Sequence, residues 1–404
     1  MIAQDIARAV RERLAAIPER ANLPDDELRR LVEEQIDSVQ RLPTFADVEN
    51  PDGVRRSVVN DLLGFGPIQE LLDDPSISEI MVNGPGEIWI ERAGTISLND
   101  GAFESSEQLM RIIDRMVRSS GRRVDQSSPM VDARLPDGSR LNVVLPPLSV
   151  DGPAITIRKF TSSGLDIDDL VASGTISASG ADFLRDAVAS RMNVLVSGGT
   201  GTGKTTVLNI LSSFIDRDER VVTIEDAVEL TLRLPNLIRL EARPSNSEGA
   251  GEVNIRELVR NSLRMRPNRI VVGEVRGSET IDMLQAMNTG HEGSLSTVHA
   301  NSPRDALRRL ETMILLAGVD LPLRAVREQI ASSIDVIVHL ARDARGRRFV
   351  TTITEVVGME SDVVSTADLF ARDFAGVGTE TLPALQTTGL VSSRLGMRRA
   401  RRAA

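Results

Sequence analysis

The stretch NVLVSGGTGTGKTTVLNIL, residues 193–211, decides the fold of this chain. Inside it, GGTGTGKT (198–205) reproduces in full the GxxxxGK[ST] spacing of a phosphate-binding P-loop. The residues before the motif have the apolar pattern of a buried strand, and those after it begin a helix. A chance glycine-rich turn would not require a strand on one side and a helix on the other. The stretch therefore predicts an α/β domain that binds a nucleoside triphosphate.

The residue types of the motif suit a phosphate chain. Glycines let backbone N–H groups turn inward around phosphate oxygens, and the start of the following helix adds a positive dipole. We expect Lys204 to reach the β- and γ-phosphates and the Thr205 hydroxyl to ligate Mg²⁺. The predicted cofactors are ATP and Mg²⁺, and the predicted cofactor-binding residues of the loop are Gly198, Gly199, Thr200, Gly201, Thr202, Gly203, Lys204, Thr205 and Thr206.

The pattern of the chain changes several times along its length. Residues 1–60 have helical periodicity, whereas residues 61–160 alternate short strands, turns and one amphipathic helix, which predicts a smaller α+β domain. Residues 161–178 have the composition of a connection between domains. In residues 179–360 helices and strands alternate, as in a parallel α/β sheet. We expect residues 361–404 to be an irregular tail with a solvated, arginine-rich end, although contact of that end with anionic lipid is an alternative.

The composition limits the classes of function. The 404 residues include no cysteine, so disulfides and thiolate zinc sites are excluded. No apolar run approaches the ~20 residues of a membrane-spanning helix, so we expect contact with a membrane to be indirect, through partners. The net charge is −10, Trp89 is the only tryptophan and tyrosine is absent. Because nucleic-acid binders need basic surfaces and stacking aromatics, we expect no nucleic-acid partner.

Acidic residues follow two further strand patterns. The run VVTIEDAVEL carries Glu225, Asp226 and Glu229, and the run RIVVGEVRG carries Glu274. Because parallel strands end at one edge of a sheet, where ligands bind, both groups are expected to face the P-loop. Hydrolysis needs one acid near Mg²⁺ and another to orient or deprotonate the attacking water.

Cations are also needed to offset the charge of the γ-phosphate. The candidates are Arg243 and, from the preceding domain, Arg140 and Arg158. For each of these arginines an ordinary salt bridge is the alternative interpretation.

Taken in order, these motifs resemble the secretion ATPase superfamily that drives type II secretion, type IV pili and type IV secretion. The ordered run is GGTGTGKTT, IEDAVEL, the segment from LEARPSNSEGAG to VVGEVRG, and TGHEGSLSTVHANS. The upstream segments FGPIQELL, SEIMVNGP and AITIRKF resemble it as well. The subgroup that the chain resembles most is the CpaF/TadA tight-adherence (Flp) pilus assembly ATPases. The resemblance covers about residues 60–360 and implies a RecA-like ATPase domain preceded by an α+β domain.

This resemblance implies a hexameric ATPase motor that powers assembly of a Flp/Tad pilus, or related secretion, across the cytoplasmic membrane. It implies partners among polytopic inner-membrane platform proteins and a place at the cytoplasmic face of the inner membrane. Motif by motif, Glu229 would polarise the attacking water, Glu274 would be the acid near Mg²⁺, and Arg243 lies in an LExRP motif. Arg140 and Arg158 resemble arginines that close onto the γ-phosphate in related type IV secretion ATPases.

Two of the three histidines of the chain lie in TGHEGSLSTVHANS, residues 289–302. A zinc pair is a weak alternative because no cysteine is present to complete it. The segment has the pattern of a turn followed by a strand, which in a RecA-like sheet ends beside the γ-phosphate. His299 would then contact the phosphate or the acids, and His291 would support the adjoining loop or a subunit interface. We interpret both as sensors of the phosphate state.

Two other functions are compatible with a P-loop. A RecA-like nucleic-acid motor would need basic channel loops or aromatic stackers, which are sparse in this sequence. A nucleotide-gated scaffold without enzymatic activity would not need the acids Glu229 and Glu274.

Overall fold

The computed structural model describes residues 2–17, 23–42, 50–92, 94–160, 164–243, 245, 250–374 and 382–403. The chain divides into two compact units, Met1–Thr161 and Ser162–Ala404.

Three helices begin the first unit: α1 (Ile2–Ala15), α2 (Asp25–Gln40) and α3 (Pro51–Leu62). Their apolar faces share a small core of their own. The buried carboxylate of Asp61 ties them to the rest of the unit, because it accepts from Arg11 Nη2 at 2.6 Å and from Gln108 Nε2 at 2.7 Å. The helical periodicity of the first 60 residues corresponds to these three helices.

A 3₁₀ turn (Gly66–Ile68) and α4 (Gln69–Asp73) lead into an antiparallel sheet covered by α5 (Ser106–Ser119). Every second residue of the inner strands is buried, which is why their side chains alternate between the core and the exposed face. In the described residues the strand order is β3-β2-β1-β6-β5-β4. The strands are β1 (Ile77–Asn83), β2 (Glu87–Arg92), β3 (Thr95–Asn99), β4 (Met130–Arg134), β5 (Arg140–Val144) and β6 (Ala154–Arg158).

The second unit is built on a larger sheet with the strand order β15-β14-β13-β12-β7-β11-β10-β8-β9 among its described residues. The strands from β12 to β9 in this order are parallel, and β13, β14 and β15 add an antiparallel extension. The strands are β7 (Val194–Gly198), β8 (Val221–Glu225), β9 (Leu237–Glu241), β10 (Arg269–Val275), β11 (Leu295–His299), β12 (Val336–Arg342), β13 (Arg348–Glu360), β14 (Val363–Arg372) and β15 (Leu385–Thr387).

Helices cover both faces of this sheet. That is why all five residues of β7 and of β8 are buried rather than every second one. One face packs against α6 (Ile167–Ala172), α7 (Ala178–Ala189) and α8 (Lys204–Ser212). The other face packs against α9 (Ile255–Ser262), α10 (Glu279–Asn288), α11 (Pro303–Leu316) and α12 (Leu323–Ser333). The predicted α/β fold, with an α+β region before it, is confirmed.

One segment near the start of the second unit differs from its sequence-based expectation. The expected connection, 161–178, contains α6, whose Ile167 and Leu170 are buried in the core of the unit. Its residues 161–163 lie outside the described part of the chain. The next helix is capped by Ser177, which accepts from Gly180 N. With only 6 residues, α6 is too short for a helical period to be recognised in the sequence.

The C-terminal segment, expected to be irregular, instead contributes β14, β15 and α13 (Ser393–Ala403). The buried carboxylate of Asp335 accepts from Arg394 Nη1 at 2.7 Å and from Arg398 Nη2 at 2.9 Å, which docks α13 on the unit. Glu355 receives the first N–H groups of the helix. Two of the arginines that suggested a solvated end therefore pair with a buried carboxylate.

None of the helices in the described part of the chain has both the length and the apolar content needed to cross a membrane.

Candidate active site

The P-loop connects the end of β7 to the start of α8. A methyl group at Gly198 would lie 2.6 Å from the carbonyl oxygen of Leu340 and 2.7 Å from Thr202 Oγ1, so only glycine fits there. Gly203 precedes α8 with a left-handed backbone (φ 94°), and no described side chain caps the helix. The first N–H groups of α8 can therefore bind a phosphate. Lys204 Nζ donates to Gly199 O at 2.9 Å, which holds the ammonium group at the loop.

Glu225 ends β8 with a carboxyl group that is only 3% exposed. Its Oε2 accepts from the backbone N–H of Glu229 at 2.8 Å and of Leu230 at 3.0 Å, so it fixes the loop that carries Glu229. Its Oε1 is buried and has no partner among the described residues. A methyl group at Gly273 on β10 would lie 2.9 Å from Glu225 Cγ, so this glycine makes room for the carboxyl. Burial raises the pKa of Glu225 to about 7 although the two backbone hydrogen bonds oppose it.

Arg276 links the two groups of acids. Its Nη2 donates to Glu274 Oε2 at 2.9 Å and its Nη1 to Asp226 Oδ2 at 3.3 Å. The hydrogen bond to Glu274 raises the pKa of Arg276, and the charge of Glu229 adds to this effect. The predicted acids therefore lie together at the edge of the sheet where the P-loop lies. One strand, β11, separates β7 from β10, which places Glu274 about 10 Å from the P-loop strand.

Comparisons with known proteins identify the family. A family model described as "Type II/IV secretion system protein" matches residues 61–368. The chain belongs to this family. A putative conjugal transfer protein of Mycobacterium tuberculosis (strain H37Rv) is 40% identical over 299 residues, which are 72% of this chain and 84% of the relative. The type IV secretion system protein VirB11 of Brucella abortus is 32% identical over 311 residues, 70% of this chain and 86% of the relative.

A solved structure shows the same fold. The pilus retraction motor PilT with bound ADP matches with a TM-score of 0.53 at 20% identity, over 71% of this chain and 80% of that one. The predicted fold, a RecA-like domain preceded by an N-terminal domain, is confirmed by this likeness. The predictions of a type II/IV secretion ATPase, of an enzyme and of ATP as its substrate are confirmed at the level of the superfamily. The narrower CpaF/TadA assignment stays a prediction.

The predicted arginines of this secretion ATPase lie in different places. Arg243 follows β9, the edge strand, where its Nε donates to Gly251 O at 2.5 Å. Four strand spacings separate β9 from β7, roughly 19 Å, so the structure does not bring Arg243 to the P-loop of its own chain. Arg140 and Arg158 face each other across β5 and β6, and Arg134 faces Arg140 across β4 and β5. Glu79 on β1 faces Arg158 from the other side, with 3.9 Å between Glu79 Oε1 and Arg158 Nε, so part of the charge of this row is already balanced.

The two predicted sensor histidines lie at opposite ends of β11. His299 is level with Gly198 on the neighbouring strand, at the start of the P-loop. His291 precedes the other end of β11, a strand roughly 13 Å long. Its Nδ1 is buried without a partner among the described residues. The position of His299 agrees with its predicted role, whereas His291 lies too far away to sense a phosphate at this P-loop.

The third histidine was missed by the sequence analysis. His339 on β12 is buried, and its Nδ1 lies 2.8 Å from Oγ of Ser197, the last residue before the P-loop. The ring also hydrogen-bonds the backbone of Asn301, two residues after His299. Burial lowers the pKa of His339, so the ring is neutral at physiological pH. A single buried side chain thus joins the P-loop strand to the loop that carries His299.

Substitution of His299 by Ala is expected to lower kcat about tenfold and to change the affinity for ATP by less than about twofold. The reason is that a sensor of the phosphate state acts after the nucleotide has bound. Steady-state kinetics together with equilibrium titration of ATP provide the measurement. His291→Ala is the matched control, because it removes the same ring at the opposite end of β11 and should change neither quantity. Equal losses of kcat and affinity in His299→Ala would count against a sensor.

Proposed function

We propose that this secretion ATPase is the hexameric motor of a type IV-like (Flp/Tad) pilus or of related secretion across the cytoplasmic membrane. In this proposal the ring acts at the cytoplasmic face of the inner membrane on polytopic platform proteins. One observation carries it: a complete P-loop lies at the same sheet edge as the acids of the IEDAVEL and GEVRG motifs, in a chain whose family match spans both units. The net charge of −10 and the scarcity of aromatic residues support protein partners rather than nucleic acid.

The residues of the site can carry out hydrolysis as follows. The P-loop amides and Lys204 bind the β- and γ-phosphates, and Glu229 orients the attacking water as general base. Thr205, in the first turn of α8, and Glu274 offer the hard oxygen atoms that suit Mg²⁺. When bound there, Mg²⁺ would offset charge on the phosphate oxygens. Because Arg276 pairs with both Glu274 and Asp226, it holds the acids that follow β8 and those on β10 close to each other.

The assignment of Arg140 and Arg158 to the γ-phosphate stays a prediction. What supports it is that the two arginines lie directly opposite each other on β5 and β6. If Arg243 contacts a γ-phosphate, that phosphate must belong to the nucleotide of a neighbouring subunit.

Conjugal transfer is a second candidate, favoured by the name of the Mycobacterium tuberculosis relative. In that case the same motor chemistry would serve the transfer of DNA by a secretion machine. The residues of the site do not distinguish the two, because ATP hydrolysis is common to both.

A host strain whose chromosomal copy carries Lys204→Ala is expected to lose its surface pilin almost completely. The lysine charge holds the β- and γ-phosphates, so the purified variant should release no phosphate above background. Electron microscopy and quantification of surface pilin measure the cellular effect. The matched control is Arg217→Gln, a charge loss in the exposed turn before β8, at the opposite edge of the sheet.

Two outcomes of this experiment separate the candidates. Loss of pili with normal DNA transfer supports the pilus motor, and loss of DNA transfer with normal pili supports the conjugal alternative. A wild-type protein that releases no phosphate with ATP and Mg²⁺ would contradict both. A species of one chain mass in ATP and Mg²⁺ would contradict the ring.

A further inference from the structure

Glu274 lies at a break in the register of the parallel sheet. The pairing of β10 with β11 shifts by one residue between Val272 and Val275. Two residues of β10, Gly273 and Glu274, consequently lie opposite one residue of β11, Thr297, which forms a β-bulge. The other four parallel pairs of strands keep one register throughout their described residues. The irregularity of the parallel part is thus confined to the position that carries the acid.

The bulge decides which face of β10 the acid occupies. Ile270 and Val272 lie in the apolar core between the sheet and the helices α9 to α12. Side chains of a regular strand alternate, so Glu274 would follow these two residues into the core. Because of the extra residue, Val275 is buried there instead, whereas the side chain of Glu274 is 24% exposed and pairs with Arg276. The bulge therefore keeps a carboxylate out of an apolar core, where an unpaired charge would be strongly unfavourable.

A hydroxyl group on the neighbouring strand is bonded to this bulge. Thr297 is buried, and its Oγ1 donates to the carbonyl oxygen of Gly273 at 2.7 Å. A bulge interrupts the ladder of backbone hydrogen bonds, so a buried carbonyl group within it needs another donor. The hydroxyl group of Thr297 is such a donor. It therefore fixes the backbone immediately before Glu274.

The backbone that follows the bulge is fixed by a different contact. Oε1 of Glu279, the first residue of α10, accepts from the backbone N–H groups of Arg276 at 2.6 Å and of Gly277 at 2.8 Å. This contact is local, because it lies within a few residues of one segment. The hydroxyl group that holds the other side belongs to β11, the strand that ends in His299. The geometry of the acid therefore depends on a residue more than 20 positions away in the sequence.

We propose that Thr297 is a positioning residue of the ATPase reaction: its hydroxyl group holds the bulge that turns Glu274 out of the apolar core and toward the other acids. Thr297 acts through Glu274 rather than on the nucleotide itself. The inference rests on the proposed function, in which Glu274 helps to hold Mg²⁺. Loss of a residue that orients a metal-binding group lowers metal affinity or activity roughly 10- to 100-fold.

The test measures how much Mg²⁺ raises the affinity of the full chain for ADP, by titration calorimetry with and without the metal. Thr297→Val keeps the shape of the side chain and removes the donor, so the gain from Mg²⁺ should fall about tenfold. The affinity for metal-free ADP should stay unchanged, and half-maximal phosphate release from ATP should require about tenfold more Mg²⁺. Thr297→Ser keeps the hydroxyl group and should recover most of both losses.

Thr223→Val is the matched control for this substitution. Thr223 is a buried threonine on β8, the strand on the other side of β10, and it pairs with Val271. Its Oγ1 has no hydrogen-bond partner among the described residues. The same change therefore removes a hydroxyl group without releasing the bulge, and both quantities should keep their wild-type values. Thermal unfolding shows whether each variant is folded.

A double-mutant cycle with Glu274→Gln decides whether Thr297 acts through the acid. Glu274→Gln should itself lower the gain from Mg²⁺, and the addition of Thr297→Val should lower it no further. Losses that add in the double variant would overturn the inference.

Three other results would also contradict it. A folded Thr297→Val with the wild-type response to Mg²⁺ would overturn the inference and leave the proposed role of Glu274 intact. A tenfold loss in Thr297→Ser would do so by itself, because that variant keeps the donor. A wild-type response to Mg²⁺ in Glu274→Gln would refute the proposed role of the acid, and the inference with it.

Discussion

The variant Glu229→Gln is expected to bind ATP with wild-type affinity and to hydrolyse it about a thousandfold more slowly, since a general base contributes roughly 10²- to 10⁴-fold. Glutamine keeps the size of the side chain but cannot accept the proton of the attacking water. The loop should stay in place, because its anchor is the backbone N–H of residue 229 on Glu225 Oε2. Single-turnover phosphate release, together with an ATP titration, separates the chemical step from binding.

Glu241→Gln is the matched control for this experiment. Glu241 ends β9 in direct register with Glu225, so its substitution removes a negative charge from the same edge without touching the loop. It should change turnover by less than about threefold, as expected for an exposed charge. Normal turnover in Glu229→Gln would remove Glu229 from the mechanism and leave Glu274 on β10 and Glu225 as the remaining candidates.

The P-loop and its acids could be predicted from the sequence because each depends on local order. A glycine motif between a strand and a helix specifies its own conformation, and a parallel sheet collects the ends of its strands at one edge. Glu225, Asp226, Glu229 and Glu274 therefore lie at the sheet edge that carries the P-loop. The same rule explains why His299, which ends β11, lies level with the start of the P-loop. It also explains why His291, which precedes β11, lies at the opposite sheet edge.

The remaining contacts depend on pairing between distant segments. Arg342 and Arg348 lie beside the P-loop because β12 adds beside β7 and then turns back, and nothing in 336–348 specifies that neighbour. His339 reaches Ser197 for the same reason, across 142 positions of sequence. Strand order also explains why Arg243 lies far from the P-loop: β9, which precedes it, is the edge strand of the sheet. Strand order is set by the packing of whole helices on the sheet, which single motifs do not encode.

The variant Glu225→Gln is expected to be more stable than the wild type at pH 8, by up to about 3 kcal/mol, and nearly equal to it at pH 4.5. The folded protein holds the proton of Glu225 up to a pKa of about 7, whereas the unfolded chain releases it near the ordinary value of 4.5. Stability of the wild type therefore falls as the pH rises from about 4.5 to about 7 and is constant above. Glutamine does not ionise, so the variant lacks this loss. Urea unfolding at the two pH values measures the difference.

Glu252→Gln, an exposed substitution in the same unit, should show no such dependence on pH. A stability difference that is the same at both pH values would mean that Glu225 titrates normally despite its burial.

The amide of Glu225→Gln can still accept the N–H groups of Glu229 and Leu230, so the variant keeps the anchor of the loop. Turnover of Glu225→Gln then separates two roles: unchanged kcat assigns Glu225 to holding the loop alone. A loss of kcat with the loop intact would mean that the carboxyl group itself, with its unpartnered Oε1 and a pKa near neutrality, takes part in handling the proton that Glu229 removes from water.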